Sequence, residues 1–281
     1  MQSQIKHPRT YSFEFFPPNT DEGAEKLVVT ARELAELKPK FFSVTYGAGG
    51  STQARTLNAV LDLRAAGHAA APHISCIGST RAGLRHTLQQ YQDNGIKHLV
   101  ALRGDLPSGT ASAGELHYAN ELVRFIREEF GSHFFIEVAA YPEYHPQAKS
   151  ARDDLNNFKR KVDAGADSAI TQYFYNADCY YHFVEQCEKM SLAIPIVPGI
   201  MPIGRFSQLA RFSDACGAEI PRWIRKKLEG YGDDTESIRA FGLDIVTKLC
   251  EDLLKAGAPG LHFYTMNQAG LTTEIWRRLK L

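Results

Sequence analysis

Residues 161–173 read KVDAGADSAITQY, and this stretch shows the unit from which the fold is built. It joins the end of a segment with helical periodicity to a glycine at position 165 and then to a short apolar run, which predicts a helix, a tight turn and a buried strand. Runs of this kind, with β-branched and aromatic residues, recur along the whole chain. The predicted strands lie near residues 11–16, 41–45, 71–77, 98–102, 135–140, 168–173, 194–198 and 260–264.

The segments between these runs carry the apolar spacing of amphipathic helices. It is clearest over residues 21–37, 116–130 and 237–256. Glycine ends several predicted helices because it adopts the left-handed conformation of a helix C-terminus without strain. The glycines at these ends are Gly67, Gly95, Gly131, Gly165 and Gly257.

Eight strands that alternate with helices predict a parallel sheet. We expect it to close into an α/β (β/α)₈ barrel of the TIM type, as one domain over residues 1–281. A doubly wound open sheet is the alternative. The barrel is favoured because no G-x-G-x-x-G motif follows the first strand and because polar residues collect at the C-terminal ends of the strands, where barrels place their active sites.

Composition and charge exclude several classes of protein. The 32 Lys and Arg balance the 32 Asp and Glu, so neither nucleic acid nor an anionic membrane is an expected partner. The five cysteines are odd in number and form no C-x-x-C pair, which predicts neither a disulfide framework nor a metal site. The polar N-terminus and the absence of a long apolar run predict a cytoplasmic protein.

The first predicted strand contains SFEFFPP, residues 12–18. Because side chains alternate along a strand, Ser12 and Glu14 face the barrel interior if Phe13 and Phe15 face the helices. Desolvation should then raise the pKa of Glu14, which suits a general acid near neutral pH. The alternative is a buried glutamate held by one structural hydrogen bond.

Other strand ends carry polar groups that could bind a ligand. Glycines follow Tyr46, although a tight turn also requires glycine, and His73 could equally be a core histidine. Arg103 and Asp105 bracket Gly104 and could grip a ligand or pair with each other.

Strand five and the helix after it are also rich in polar groups. Tyr141, Glu143 and His145 leave that strand end within five residues. One face of the helix is either solvated or a docking face for a nucleotide. That face carries Asp154, Asn157, Arg160 and Lys161. On strand six, Gln172 suits an amide-bearing heterocycle.

Taken together, these strand ends resemble the catalytic barrel of methylenetetrahydrofolate reductases, over essentially the whole chain and in family order. The matching motifs are SFEFFPP (12–18), SVTYG (43–47), APH (71–73), ALRGD (101–105), AAYPE (139–143), KVDAGAD (161–167), ITQ (170–172), PGI (198–200), Pro202 and HFYTMN (262–267).

The resemblance implies roles for individual residues. Glu14 would protonate N10 of methylenetetrahydrofolate, and Asp105 would lie near the flavin and orient the pterin. The positions that align with the FAD site are Thr45, Tyr46, Ala48, His73, Arg103, Gly104, Asp105, Tyr118, Tyr141, His145, Ala148, Asp154, Asn157, Arg160 and Lys161. Those that align with the folate site, shared in part with nicotinamide, are Gln172, Gln208 and Phe212. Gln268 stands where many relatives have an arginine near the folate glutamate tail.

The activity that the resemblance implies is reduction of 5,10-methylenetetrahydrofolate to 5-methyltetrahydrofolate, which supplies methyl groups for methionine synthesis. It implies bound FAD, NADH or NADPH as co-substrate, a ping-pong mechanism and a homo-oligomer; similarity to the short bacterial form favours NADH. Two alternatives remain, namely another flavin-dependent barrel oxidoreductase similar to proline dehydrogenase and a non-catalytic pterin- or nucleotide-binding barrel.

Overall fold

The computed structural model describes residues 1–46, 53–104 and 114–281 of the chain. Parallel strands form one continuous sheet in this part of the chain. They are β1 (Thr10–Phe15), β2 (Phe41–Val44), β3 (Ala70–Ser75), β4 (His98–Leu102), β5 (Phe135–Ala140), β6 (Ser168–Thr171), β7 (Ile196–Val197), β8 (Gly199–Ile200) and β9 (Gly260–Tyr264).

The helices alternate with the strands, as the periodicity predicts. They are α1 (Gln2–Ile5), α2 (Asp21–Ala35), α3 (Gln53–Ala65), α4 (Arg81–Asp93), α5 (Ala119–Phe130), α6 (Ala151–Asp163), α7 (Ala177–Lys189), α8 (Phe206–Cys216), α9 (Arg222–Tyr231), α10 (Thr235–Lys255) and α11 (Gly270–Leu279). The five glycines predicted at helix ends all have positive φ, a backbone region that favours glycine. None of the described helices combines the length and the apolar character that crossing a bilayer requires.

The sheet closes at Pro198. The strands are ordered β7-β6-β5-β4-β3-β2-β1-β9-β8, so the first and last strands in this order are separated in sequence by that proline alone. Proline has no N–H to donate to a neighbouring strand. The chain therefore pairs with β6 before Pro198 and with β9 after it. The strand predicted near residues 194–198 is shorter in the structure, Ile196–Val197, and β8 was not predicted; together the two complete the predicted TIM barrel.

The apolar core has two parts because the strands alternate. Phe13 and Phe15 are fully buried in the outer layer between the strands and the helices. Inside the barrel, a separate apolar cluster is formed by Phe41, Ala71, Val100 and Ile170. The predicted directions of the two phenylalanines are confirmed, and Glu14 accordingly points into the barrel.

The N-terminus and the stretch before α10 differ from the simple repeating pattern. Gln4 of α1 bonds the backbone of the seventh strand, accepting from Ile196 N at 2.8 Å and donating to Ile194 O at 3.2 Å. This contact fixes α1 at the amino end of β7, opposite the predicted active-site face. Helices α8 and α9, which the sequence did not predict, lie between β8 and α10.

Candidate active site

Two adjoining cavities open at the carboxyl ends of the strands. The first has a volume of about 480 Å³ and is lined by residues from opposite sides of the barrel, among them Glu14, Gln172 and Phe212. The second, of about 250 Å³, lies toward α5 and α6. The wall common to both consists of Leu102, Ala139, Tyr141, His145 and Gln147. This is the end of the barrel at which the sequence predicts the site.

Glu14 lies at the bottom of the first cavity and is bound through one oxygen. Its Oε2 is 3.4 Å from Ser43 Oγ, which donates to it, and 3.3 Å from His262 Nε2. His73 Nε2 is 3.2 Å from the same oxygen, close enough for an ion pair but without hydrogen-bond geometry. Oε1 has no hydrogen-bond partner among the described residues. One oxygen of the carboxylate is thus fixed while the other is left to a ligand.

The neighbours of Glu14 reverse the pKa shift that the sequence predicts. Burial does raise the pKa of this carboxyl, but the contacts with His73 and His262 together outweigh the effect of burial and lower the pKa from 4.5 to about 2. The expectation of a raised pKa is therefore wrong for this arrangement. The lowering depends on protonated imidazoles, because a neutral imidazole cannot stabilise the carboxylate by charge.

The second cavity is lined by a mixture of charged and amide groups. Arg103 donates from Nη2 to Gln147 Oε1 at 2.6 Å, which holds the guanidinium at the cavity wall. Asp154 accepts from the backbone N of His145 at 3.1 Å, so the carboxylate and the β5–α6 loop are fixed together. Gly104 has φ +83°, and a Cβ there would lie 1.8 Å from Ser75 Oγ. Glycine is therefore required at this strand end by packing.

Lys161 enters the second cavity from α6. Its Nζ donates to Ala139 O at 2.6 Å, on the strand that forms the shared wall. Burial lowers the pKa of this ammonium from 10.5 to about 8, and the nearby charge of Asp154 partly offsets the shift. Arg160, the next residue back along the helix, is exposed and bonds Asn157 Oδ1 at 2.8 Å. The predicted polar face of α6 is therefore divided, with Lys161 inside the cavity and Arg160 outside it.

The structure brings most of the predicted site residues to these cavities. The first is lined by Glu14, Thr45, Tyr46, His73, Tyr141, His145, Gln172 and Phe212. The second is lined by Arg103, Gly104, Tyr118, Tyr141, His145, Ala148, Asp154, Asn157 and Lys161. Arg160, Gln208 and Gln268 line neither cavity, although Gln208 lies one helical turn before Phe212 on α8. Ala48 and Asp105 lie outside the described residues.

Some site residues were not assigned a role from the sequence. His262 is completely buried and contacts Glu14, while Tyr264 and Met201 line the first cavity. The alternation of side chains along β9 is the signal that could have found His262 and Tyr264. Strand β9 pairs with β1 so that Ser12 lies beside His262 and Glu14 beside Tyr264.

Among the described residues no group of three or more His, Cys, Asp or Glu is arranged to hold a metal ion. Cys76, predicted to be packed, is fully buried, and burial raises its pKa to about 12.

The chain is similar to known proteins over nearly its whole length. The family model described as methylenetetrahydrofolate reductase matches residues 1–280. The chain is 43% identical to the 5,10-methylenetetrahydrofolate reductase of Escherichia coli (strain K12), with 99% of this chain and 93% of that protein covered. It is 37% identical to methylenetetrahydrofolate reductase (NADH) 1 of Arabidopsis thaliana, with 92% of this chain and 46% of that protein covered.

A solved structure supports the fold. An uncharacterized protein from Clostridium thermocellum, described as binding two copies of 5-methyl-5,6,7,8-tetrahydrofolic acid, superposes with a TM-score of 0.70 at 17% identity and covers 99% of this chain and 96% of its own. At that identity the likeness concerns the barrel alone. The family model and the identity to the bacterial enzymes go further, and they show that the chain belongs to the methylenetetrahydrofolate reductase family.

Proposed function

We propose that this chain reduces 5,10-methylenetetrahydrofolate to 5-methyltetrahydrofolate, using FAD and a nicotinamide co-substrate in a ping-pong reaction. The observation that carries the proposal is Glu14, a carboxylate held by two imidazoles at the bottom of a cavity that continues into a second one lined by cations. A carboxylate that can transfer a proton is thus placed beside a cavity of about 480 Å³, which is large enough to hold a heterocyclic ring. We propose further that the reaction serves methionine synthesis in the cytoplasm and that the protein is a homo-oligomer.

The donor set of the second cavity fits a dinucleotide. Arg103 and Lys161 are cations suited to a pyrophosphate, and Asp154 and Asn157 offer acceptors and donors suited to ribose or adenine. Arg103 is bonded to the neutral amide of Gln147 and Lys161 to the backbone carbonyl of Ala139, so these two hydrogen bonds do not neutralise either positive charge. When bound there, FAD would supply the two-electron hydride chemistry that links nicotinamide and folate.

The first cavity suits the reacting ring of each substrate in turn. Gln172 offers an amide donor and acceptor, with Tyr173 and Phe212 beside it as aromatic surface. Its Oε1 accepts from Tyr173 N at 3.0 Å, which fixes the side chain. Nicotinamide and pterin both carry an amide function on a flat ring, so one set of contacts serves both. Occupation of the same cavity by one ring at a time produces ping-pong kinetics.

Glu14 provides the proton that folate reduction requires. The bond between the methylene carbon and N10 breaks, its electron pair stays on N10, and the proton from Glu14 joins that nitrogen. The carbon is left as an iminium on N5, which accepts a hydride to become the methyl group. Without protonation N10 is a poor leaving group, so general acid catalysis contributes about 10²–10⁴-fold to steps of this type.

An anaerobic experiment in two stages tests the proposal. The purified protein is mixed with NADH, and in parallel with NADPH, while flavin absorbance is followed; methylenetetrahydrofolate is then added. We expect the absorbance to fall with the preferred nicotinamide, to return with the folate, and 5-methyltetrahydrofolate to form in equal amount. A colourless protein, or a reduced flavin that the folate does not reoxidise, would contradict the proposal and would leave a pterin-binding barrel as the alternative.

A further inference from the structure

A tight turn after β9 holds the end of β1 through side-chain hydrogen bonds. The backbone pairing of the two strands ends at Glu14 and Tyr264. Beyond that pair, Thr265 Oγ1 donates to Glu14 O at 2.6 Å, while the amide of Asn267 accepts from Phe16 N at 2.8 Å and donates to Phe16 O at 3.0 Å. Side-chain groups thus extend the contact between β1 and β9 by two residues toward the mouth of the barrel.

The backbone of this turn is strained. Gln268 N donates to Thr265 O at 3.0 Å, and the two residues between them, Met266 and Asn267, have φ +54° and +55°. Asparagine tolerates this left-handed conformation, whereas methionine rarely adopts it. Such strain persists only where surrounding contacts fix the chain, and it is typical of ligand sites. The two bonds between Asn267 and Phe16 are contacts of this kind.

The turn and the end of β1 present two apolar side chains to the first cavity. Phe16 and Met266 both line this cavity, and Phe16 is 41% exposed although it is a large aromatic residue. These two residues form the lip of the cavity. Phe16 follows Glu14 by two residues, so the lip lies beyond the carboxylate toward the mouth. An aromatic and an aliphatic side chain at a cavity wall are typical of a surface that a ligand ring covers.

The position of the lip relative to Glu14 indicates which part of the folate it meets. In the proposed function Glu14 protonates N10, and N10 is the atom that carries the p-aminobenzoyl ring. With N10 at the open oxygen of Glu14, that ring continues toward the mouth, where the lip lies. The nicotinamide ring continues instead into a ribose and a charged pyrophosphate, which gain little from an apolar surface.

We propose that Asn267 is a positioning residue that holds the lip against the p-aminobenzoyl ring, so that a cavity shared by two substrates gains affinity for the folate alone. This inference rests on the proposed function. The lip takes no part in proton or hydride transfer. It therefore acts on the binding of the folate and not on the rate at which the bound folate reacts.

Asn267→Gly tests the role of the amide. Glycine adopts a positive φ without strain, so the turn can still form, but both bonds to Phe16 are lost. We expect the folate concentration that half-saturates flavin reoxidation to rise by about threefold to tenfold. The rate at saturating folate, and the NADH concentration that half-saturates flavin reduction, should both stay within about twofold of the wild type.

Phe16→Leu tests the lip itself. This variant keeps the backbone groups that bond Asn267 and removes only the aromatic ring. Because the ring is partly exposed, the variant should fold even if Asn267→Gly does not. We expect the same change, a rise of about threefold to tenfold in half-saturation by the folate alone.

A truncated ligand separates the lip from the rest of the cavity. A tetrahydropterin with a methyl group in place of the p-aminobenzoyl arm keeps the pterin ring, and its inhibition of the folate half-reaction measures its binding. We expect its inhibition constant to agree within about twofold in the wild type, Asn267→Gly and Phe16→Leu. A loss equal to that of the complete folate would show that the turn acts on the pterin or on the fold, and would overturn the inference.

Ser191→Gly is a matched control for the change of backbone conformation. Ser191 has φ +58°, is exposed, precedes β7 at the amino end of the barrel and lines neither cavity. Glycine there relieves the same left-handed conformation away from the lip. We expect both half-reactions to remain those of the wild type.

The remaining outcomes distinguish the parts of the inference. Unchanged half-saturation by the folate in both Asn267→Gly and Phe16→Leu, an equal rise for NADH, or a fall confined to the saturated rate would each overturn it. A rise in Phe16→Leu alone would overturn the role of Asn267. Failure of the wild type to reduce methylenetetrahydrofolate would instead overturn the proposed function.

Discussion

Replacing Glu14 by glutamine separates the two half-reactions. The carboxamide has the shape of the carboxylate, and its oxygen can occupy the position of Oε2 among Ser43, His73 and His262, where all the donors converge. The amide nitrogen then occupies the position of Oε1, which no described residue bonds. The geometry survives, but the side chain can no longer transfer a proton.

The expected magnitude follows from that loss. General acid catalysis contributes about 10²–10⁴-fold, equivalent to roughly 2.7–5.4 kcal/mol of transition-state stabilisation. Folate reduction should therefore fall by at least a hundredfold. Hydride transfer from NADH requires no proton on the donor, so flavin reduction should stay within about tenfold of the wild type.

Stopped-flow absorbance of the bound flavin, recorded separately with each substrate, measures both steps. Glu137→Gln is the control, because it replaces another buried carboxylate that is paired with a histidine but is remote from the cavities. Equal losses in both half-reactions, matched by the control, would identify Glu14 as a structural residue. No loss in either would refute its role as the acid.

Three further predictions concern stability, the cofactor and the folate tail. Because the pKa of Glu14 is lowered from 4.5 to about 2 by protonated imidazoles, its contribution to stability is present just above pH 4.5, where the imidazoles carry a proton, and is lost as the pH falls toward 2. Urea unfolding should show the wild type losing about 3 kcal/mol more than Glu14→Gln over that range. Parallel acid curves would contradict this. Lys161→Gln should weaken FAD retention, measured by dialysis, by roughly 1.5–3 kcal/mol, or about tenfold to a hundredfold. Replacing the exposed Arg160 by glutamine should have a smaller effect in the same assay. The reverse order, or FMN as the bound flavin, would contradict this prediction. Gln268→Arg should tighten binding of polyglutamylated folate by about 1.4-fold to fivefold over the monoglutamate, because the position is exposed and a charge there is worth about 0.2–1 kcal/mol. Unchanged dissociation constants for both would place the tail elsewhere.

The spacing of apolar residues along the sequence determined the order of strands and helices and the direction of the side chains on each strand. Helical and strand periodicities are local properties, since the burial of one face of each element requires them, and so the eight βα units could be predicted from the sequence. Strand alternation likewise predicted that Glu14 points inward and that Phe13 and Phe15 point outward. The burial of the two phenylalanines and the position of Glu14 on the cavity wall confirm this. Those directions depend on the strand alone.

The tertiary structure decided what each of these side chains meets. Ser12 and His262 are 250 positions apart, and only closure of the barrel places β9 beside β1 and turns an isolated glutamate into a carboxylate held by imidazoles. The pKa of Glu14 is therefore lowered and not raised as the sequence predicted. Desolvation can be predicted from one strand, whereas the charges of imidazoles from other strands cannot. Closure also divided the polar face of α6, since the wall formed by Ala139 decides that Lys161 enters the cavity and Arg160 remains in solvent. Periodicity is set by neighbours along the chain, whereas electrostatics at a barrel mouth is set by residues that meet only when the last strand pairs with the first.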